Sequence, residues 1–177
     1  MREDDEERLR RLYADQAPAL LAYALRRGAT AEDAADLVAD VFLVAWRRIV
    51  DVPPGAEARL WLYGAARHVL ANQRRGERRR TRLGEALREH VRAVAPPPLE
   101  PVDPILDAAL RSLPEIDRSL LALIAWEGLS AGEAATVLGL RHGTARVRLH
   151  RARARLRRAL EATTAARPSP TPVRQEP

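Results

Sequence analysis

LSAGEAATVLGLRHGTARVRLHRARARLRRAL, from Leu129 to Leu160, is the stretch whose reading decides the fold. Its first part has the spacing of a short amphipathic helix, with Ala134, Ala135, Val137 and Leu138 on the side to be buried. Gly139 supplies the turn, since a residue without Cβ takes positive φ at little steric cost. Thr144 then stands near the start of a second, longer helix. Two helices joined by a short glycine-bearing turn make a helix-turn-helix.

The faces of the second helix follow from a rotation of about 100° per residue. Ala145, Leu149, Ala152, Leu156 and Ala159/Leu160 share a stripe that must face the body of the domain. Roughly opposite lie Val147, His150, Arg151 and Arg158, with Arg146 and Arg157 on a flank. Eight arginines and no acid lie between Arg141 and Arg158. The chain has no lysine, so coding bias accounts for arginine over lysine, but not for eight cations without one anion. An outward Val147 is costly unless something covers it, and a thymine methyl is one candidate. Arginines on that face reach phosphates or the O6/N7 edge of guanine. A solvated basic helix is the alternative; groove-fitting pattern combined with charge favours DNA.

The 177 residues suffice for one ordinary domain or two small helical ones. Alanine, leucine and arginine dominate and aromatics are scarce, which predicts an all-α protein. The net charge of +6 is unevenly placed. Residues 28–51 hold Glu32, Asp33, Asp36, Asp40 and Asp51 against Arg47 and Arg48, whereas residues 67–82 hold seven arginines against Glu77. Basic segments separated by acidic ones predict two nucleic-acid contacts. With no cysteine, disulfides, iron–sulfur clusters and thiolate catalysis are excluded. No apolar run approaches a membrane span, and MREDDEERLRR is too acidic for a signal peptide, so a soluble cytoplasmic protein without a membrane partner is expected.

AVAPPPLEPVDP, Ala93 to Pro104, divides the chain, because five prolines prevent a helix and favour a semi-rigid connector. The expected organisation is two small helical domains joined by a proline-rich linker, the C-terminal one a helix-turn-helix: 5–90, linker 91–103, then 104–162. The polar, proline-rich tail 163–177 is expected to be disordered.

In the first half, helices are expected from about Asp5 to Arg27, bent or broken at Pro18, and from Ala31 to Ile49 with Thr30 as cap. Ala34, Leu37, Val38, Val41, Phe42, Ala45 and Trp46 form the second helix's apolar stripe. Asp33, Asp36 and Asp40 line an acidic ridge, either a solvated face or a dock for a basic protein. Val50–Ala58 is a turn-forming loop leading into a third helix from about Glu57 into the low eighties. That helix carries Trp61 and Tyr63, then Arg67, His68, Asn72, Arg74, Arg75, Arg78, Arg79 and Arg80. Rings beside a basic run suit single-stranded DNA, whose bases stack while arginines track phosphates. Leu60, Trp61, Gly64, Ala65, Val69 and Leu70 also read as core, so Trp61 is expected to be mainly structural. An exposed Asn72 can hydrogen-bond a base edge.

From Leu9 to about Leu160 this order resembles a bacterial RNA polymerase sigma factor of the extracytoplasmic-function (ECF) group. DAADLVADVFLVAWRR (Asp33–Arg48) is similar to the family helix that binds the clamp of the polymerase largest subunit. WLYGAARHVLANQRR (Trp61–Arg75) resembles the helix that reads and opens the minus-ten element, and Leu110–Leu156 the domain that reads the minus-thirty-five element. The resemblance implies promoter-specific initiation without catalysis by this chain. Its partners would be core polymerase (clamp of the largest subunit, flap of the second-largest), promoter DNA both duplex and single-stranded, and an anti-sigma factor.

The candidate minus-thirty-five contacts are Thr144, Arg146, Val147, His150 and Arg151. The candidate minus-ten contacts are Trp61, Arg67, His68, Asn72, Arg75 and Arg79, and the Val50–Ala58 loop is where the resemblance places a flipped base. Core docking falls to Asp36, Asp40, Phe42 and Arg47. The chain departs from the family pattern at Ala39 (often glutamine), which bears on the clamp contact, and at His68 (asparagine), Asn72 (aspartate) and Val147 (serine), so the resemblance leaves its minus-ten and minus-thirty-five preferences open.

The main rival is a stand-alone helix-turn-helix regulator binding duplex DNA as a dimer, which has no need of an aromatic-plus-arginine helix. A packaging protein fits poorly with two acid-interrupted modules. For an enzyme, His68, His90, His142 and His150 lack metal-ligand spacing, and no glycine-rich phosphate loop or nucleophile motif occurs, so neither cofactor nor metal is expected.

Overall fold

The computed structural model describes residues 3–74 and 103–165, and every regular element among them is helical. The N-terminal module comprises α1 (Glu3–Leu25), α2 (Ala31–Arg47) and α3 (Glu57–Arg74). The C-terminal module comprises α4 (Pro104–Arg111), α5 (Glu115–Ala125), α6 (Ala131–Leu138) and α7 (His142–Ala165). Arg75, Arg79, the connector up to residue 102 and the tail from residue 166 lie outside the described residues.

Helix α1 continues through Pro18, so of the bend or break expected there the break does not occur. An interior proline costs about 3 kcal/mol through its missing donor and its crowding of the preceding turn. Leu20, Leu21 and Tyr23 are buried on the same helix, and each large apolar side chain returns roughly 1.5–3 kcal/mol. Burial wins. Helix α2 starts where its cap predicts, with Thr30 Oγ1 accepting from the Asp33 amide at 3.0 Å. Its buried surface is wider than one stripe: Ala35, Ala39 and Leu43 are buried along with Leu37, Val38, Val41 and Phe42, while Trp46 is only half-buried. Packing against both α1 and α3 requires apolar residues on more than one side.

In the second module Asp103 caps α4, accepting from the Ile105 amide at 2.7 Å, with Pro104 opening the helix. A reciprocal capping box opens α6: Ser130 Oγ accepts from the Glu133 amide at 3.2 Å, and Glu133 Oε2 accepts from the Ser130 amide at 2.8 Å. Gly139 closes α6 at φ +66°, a conformation that requires glycine in practice, and Ala134, Ala135, Val137 and Leu138 are buried as expected. Thr163–Ala165, placed by sequence at the head of a disordered tail, belong to α7. Extending an existing helix by a few residues costs far less than nucleating one.

The two modules share one apolar cluster, in which Leu20, Phe42 and Leu62 belong to the same continuous core as Leu120, Leu123 and Leu138. Helix α3 packs against α6. Two bodies expected to stand apart on a stiff connector are here in direct contact.

Candidate nucleic-acid interface

Helix α7 presents the face its periodicity predicts. Ala145, Leu149 and Ala152 are buried, and Thr144, Arg146, Val147, His150 and Arg151 are exposed. Val147 is 50% exposed, a large apolar side chain offered to solvent in the middle of a cationic row. The glycine turn at Gly139 ends α6, and α7 begins at His142.

The eight arginines are not equivalent. Asp117, buried in the first turn of α5, accepts from Arg148 Nη1 at 2.9 Å and from Arg155 Nη1 at 2.5 Å. These two arginines lie one above the other, seven residues apart, and fasten α7 to α5. Arg146 and Arg151 have no carboxylate partner among the described residues. A clamp and a reader are thus separated along one helix. The sequence contained a signal for the clamp: Asp117 falls in register with Leu113 and Leu120 on a buried stripe, where a carboxylate demands a cation.

On α3 the buried residues are Ala58, Leu62, Tyr63 and Ala66. Trp61 is half-buried and packs on the core, as do Leu60, Ala65, Val69 and Leu70. Tyr63 is 1% exposed, so its ring offers no platform for a base, contrary to the expectation from aromatic spacing. Arg67 is half-buried, His68 exposed and Asn72 half-buried. Arg67 and His68 open onto a cleft between the modules, where Arg26 and Arg27 stand on their own side and Arg111, Arg118 and Trp126 on the other.

Beside the shared apolar core, Glu127 gathers polar contacts across the two modules. Glu127, 5% exposed, receives Arg26 Nη2 at 2.7 Å, Arg27 Nη1 at 3.5 Å and the Tyr63 hydroxyl at 3.2 Å, and its backbone carbonyl accepts from Arg59. The Arg27 guanidinium lies 3.5 Å from the centroid of the Tyr23 ring, which in turn stands 5.3 Å from the Tyr63 ring. Burial pulls the Arg27 guanidinium below its ordinary value, opposed by Tyr23 and Glu127. Burial, aided by the Glu127 charge, pushes the Tyr63 phenol up. No local pattern marked Glu127, since its partners lie 64 to 101 residues away.

Of the candidate docking residues on α2, Asp36 and Asp40 are half-buried and Arg47 is exposed. Phe42 is a correction. It is 1% exposed, with its ring against that of Tyr13 at 4.9 Å, and so has no surface to give a partner. Among the described residues no cluster of three or more His, Asp or Glu could hold a metal ion, and no helix is long and apolar enough to cross a membrane.

Comparison with known proteins agrees with this geometry. The model of Sigma-70 region 2 matches residues 12–80, and that of Sigma-70 region 4 matches residues 104–156. The chain is 32% identical over 159 residues to the ECF RNA polymerase sigma factor SigL of Mycobacterium tuberculosis, covering 86% of this chain and 89% of that one. It is 35% identical over 135 residues to the ECF RNA polymerase sigma factor SigF of Caulobacter vibrioides, covering 75% and 74%. Among solved structures it is similar to the sigma factor RpoE in complex with the anti-sigma factor NepR from Bartonella quintana, with TM-score 0.61, 25% identity and coverage of 86% and 96%. It is also similar to CnrH in complex with the cytosolic domain of CnrY, with TM-score 0.60, 29% identity and coverage of 89% and 90%.

Proposed function

The chain belongs to the sigma-70 family of RNA polymerase sigma factors, in the ECF group, and on that premise we propose which of its surfaces perform each step. It directs core polymerase to promoters and promotes DNA opening at initiation. A stand-alone regulator is not favoured, because such a protein has no use for a region 2 spanning residues 12–80. The sigma family is in general non-enzymatic, and we assign no catalytic role.

The observation that carries the residue assignment is the exposed row Thr144, Arg146, Val147, His150 and Arg151 on a helix clamped from behind by Asp117. This row enters the major groove of the minus-thirty-five element, with Arg146 and Arg151 to phosphate or guanine and Val147 to a thymine methyl. Arg67, His68 and Asn72 of α3, continued by Arg75 and Arg79, follow the unpaired minus-ten strand, and Trp61 supports that face from the core side. The Val50–Ala58 loop takes the extruded base, offsetting the few kcal/mol that unstacking costs. Asp36, Asp40 and Arg47 dock on the polymerase clamp. The working units are 5–90 and 104–162, connected by 91–103.

Engagement of both elements requires the modules to part. At 3.4 Å per base pair, the roughly 25 base pairs between positions −35 and −10 span about 85 Å. A compact chain of this length is only about 40 Å across. The Glu127 contacts therefore belong to a closed state, and the open state forms on polymerase. RpoE and CnrH are each seen bound to a partner, NepR and the cytosolic domain of CnrY. We assign an anti-sigma factor as a partner of this chain, acting on its closed state.

Run-off transcription with purified core polymerase tests the reading. Stimulation by the added chain, confined to particular templates, is the expected result. Tight binding of the isolated chain to a two-fold duplex site, without stimulation of polymerase, would overturn it.

A further inference from the structure

The loop that enters α3 is short of its own donors. Pro53 and Pro54 have no N–H, and within the 3-10 turn Ile49–Asp51 the Asp51 amide is used by the Arg48 carbonyl at 2.8 Å. The carbonyls of Val52 and Pro53, together with that of Ile49, which also accepts from the Val52 amide at 3.4 Å, converge on one side chain from another helix. Arg8 of α1 donates from Nη1 to Ile49 O at 3.1 Å, and from Nη2 to Val52 O and, at 3.1 Å, to Pro53 O. A planar guanidinium with five donors can satisfy three such acceptors in fixed directions; an ammonium cannot reproduce the fork.

The geometry has a consequence on the opposite side of the loop. Val52 is turned inward and is 2% exposed, while Val50, two residues earlier, is 87% exposed. Holding the backbone at Ile49, Val52 and Pro53 brackets Val50 and aims its side chain at solvent. Charged groups nearby do not do this: Arg48 and Asp51 pair with each other at 2.9 Å on the exposed surface. The bracket comes from α1.

We propose that Arg8 is a positioning residue for promoter discrimination, fixing the Val50–Ala58 loop in the shape that receives one unpaired base of the downstream element. The inference rests on the reading that this loop holds that base. Arg8 itself touches no nucleotide in this scheme. Its contribution is to remove the loop's freedom before binding, so that only a base matching the preset shape gains the full contact.

The test uses holoenzyme reconstituted from core polymerase and the full chain, with Arg8→Ala, Arg8→Lys, Val50→Ala and the Arg8→Ala/Val50→Ala pair. Open-complex formation is read on a matched promoter and on a panel with each minus-ten base substituted in turn. The expected result is a drop of about tenfold in the matched-to-substituted ratio at one position, the order of a single mismatched base. The same position should respond to Arg8→Ala and to Val50→Ala, with less than additive loss in the pair. The preference for the upstream element and the affinity for core polymerase should not change.

Arg8→Lys keeps the charge and separates folding from positioning, since a folded Lys variant that lost discrimination would support the inference even if Arg8→Ala failed to fold. If Val50→Ala alters discrimination and neither Arg8 variant does, the positioning role is overturned while the loop reading stands. Equal losses on matched and substituted templates, tracking a lower melting temperature, would make Arg8 a structural anchor only and overturn the inference. If neither Val50→Ala nor the Arg8 variants change any ratio, the loop reading itself fails and takes the inference with it.

Discussion

The Glu127 carboxylate lies 2.7 Å from the Arg26 guanidinium, although 101 residues of chain separate them. Both side chains are largely withdrawn from water, Glu127 at 2% and Arg26 at 18% exposure. Around this pair Arg27, Arg59 and Tyr63 complete a clasp that holds the second module against the first. A carboxylate with so many partners is stable in place and costly to remove.

Replacing Glu127 with alanine should therefore weaken the closed state more than a surface change would. Loss of one member of a buried pair costs about 3–5 kcal/mol, because the remaining charge stays buried without compensation. Distances between fluorophores placed on α2 and α7 of the full chain should lengthen in Glu127→Ala. Unchanged distances would mean that the shared apolar core, and not the clasp, holds the modules together.

Asp117→Asn should loosen α7 without removing any outward side chain. Hydrogen bonds to charged groups contribute roughly 1.5–3 kcal/mol. Arg148 and Arg155 are more than a third exposed and are rehydrated when released, so the loss should sit near the low end. Denaturant melts should show a small drop in stability, and upstream-element affinity should fall by more than that drop explains. Wild-type affinity in a measurably destabilised variant would exclude a positioning role for the clamp.

Arg151→Ala should reduce recognition of the upstream element by about tenfold, within the roughly 1–3 kcal/mol of a good base contact, while binding to core polymerase is retained. If Arg151 contacts only phosphate, the loss should instead be uniform across sequences and the salt dependence shallower. If neither binding nor salt dependence changed, the assigned orientation of α7 on DNA would be wrong.

The capping box of α6 predicts an acid-sensitive start to the helix-turn-helix. Hydrogen bonds from the Ser130 side chain and backbone hold the Glu133 carboxyl below its ordinary value of 4.5. For a lowered folded value, the stabilisation is present above the unfolded value and is lost as pH falls through the folded one. Stability of the wild type should thus decline below about pH 4.5 by this contribution. Glu133→Gln can still accept from the Ser130 amide, and it should lack this part of the pH dependence. Identical acid limbs in pH-dependent melts of the two proteins would remove Glu133 as its source.

Much of both modules was legible from local chemistry. Gly139 had to take positive φ, Thr30 had to cap α2, and the rotation of α7 alone separated Ala145, Leu149 and Ala152 from Arg146, Val147, His150 and Arg151. These are properties of residues a few positions apart, and the chain cannot avoid them. The errors arose where a neighbour in space changed the outcome. Pro18 reads as a bend or a break, and burial along its own helix excludes the break. Phe42 and Tyr63 read as available rings until Tyr13 covers the one and Glu127 engages the other.

The residues themselves therefore determined the helical class, the turn at Gly139, the start of each capped helix and the outward face of α7, because each depends on periodicity and on bonds within one or two turns. Only the tertiary structure decided that Arg148 and Arg155 clamp Asp117 while Arg146 and Arg151 stand exposed, that Glu127 closes one module onto the other, and that Arg8 shapes a loop more than 40 residues away. Those choices turn on which cation reaches which carboxylate or carbonyl once the apolar faces have met. Thirty near-identical basic side chains carry no mark of their partners; distance supplies it.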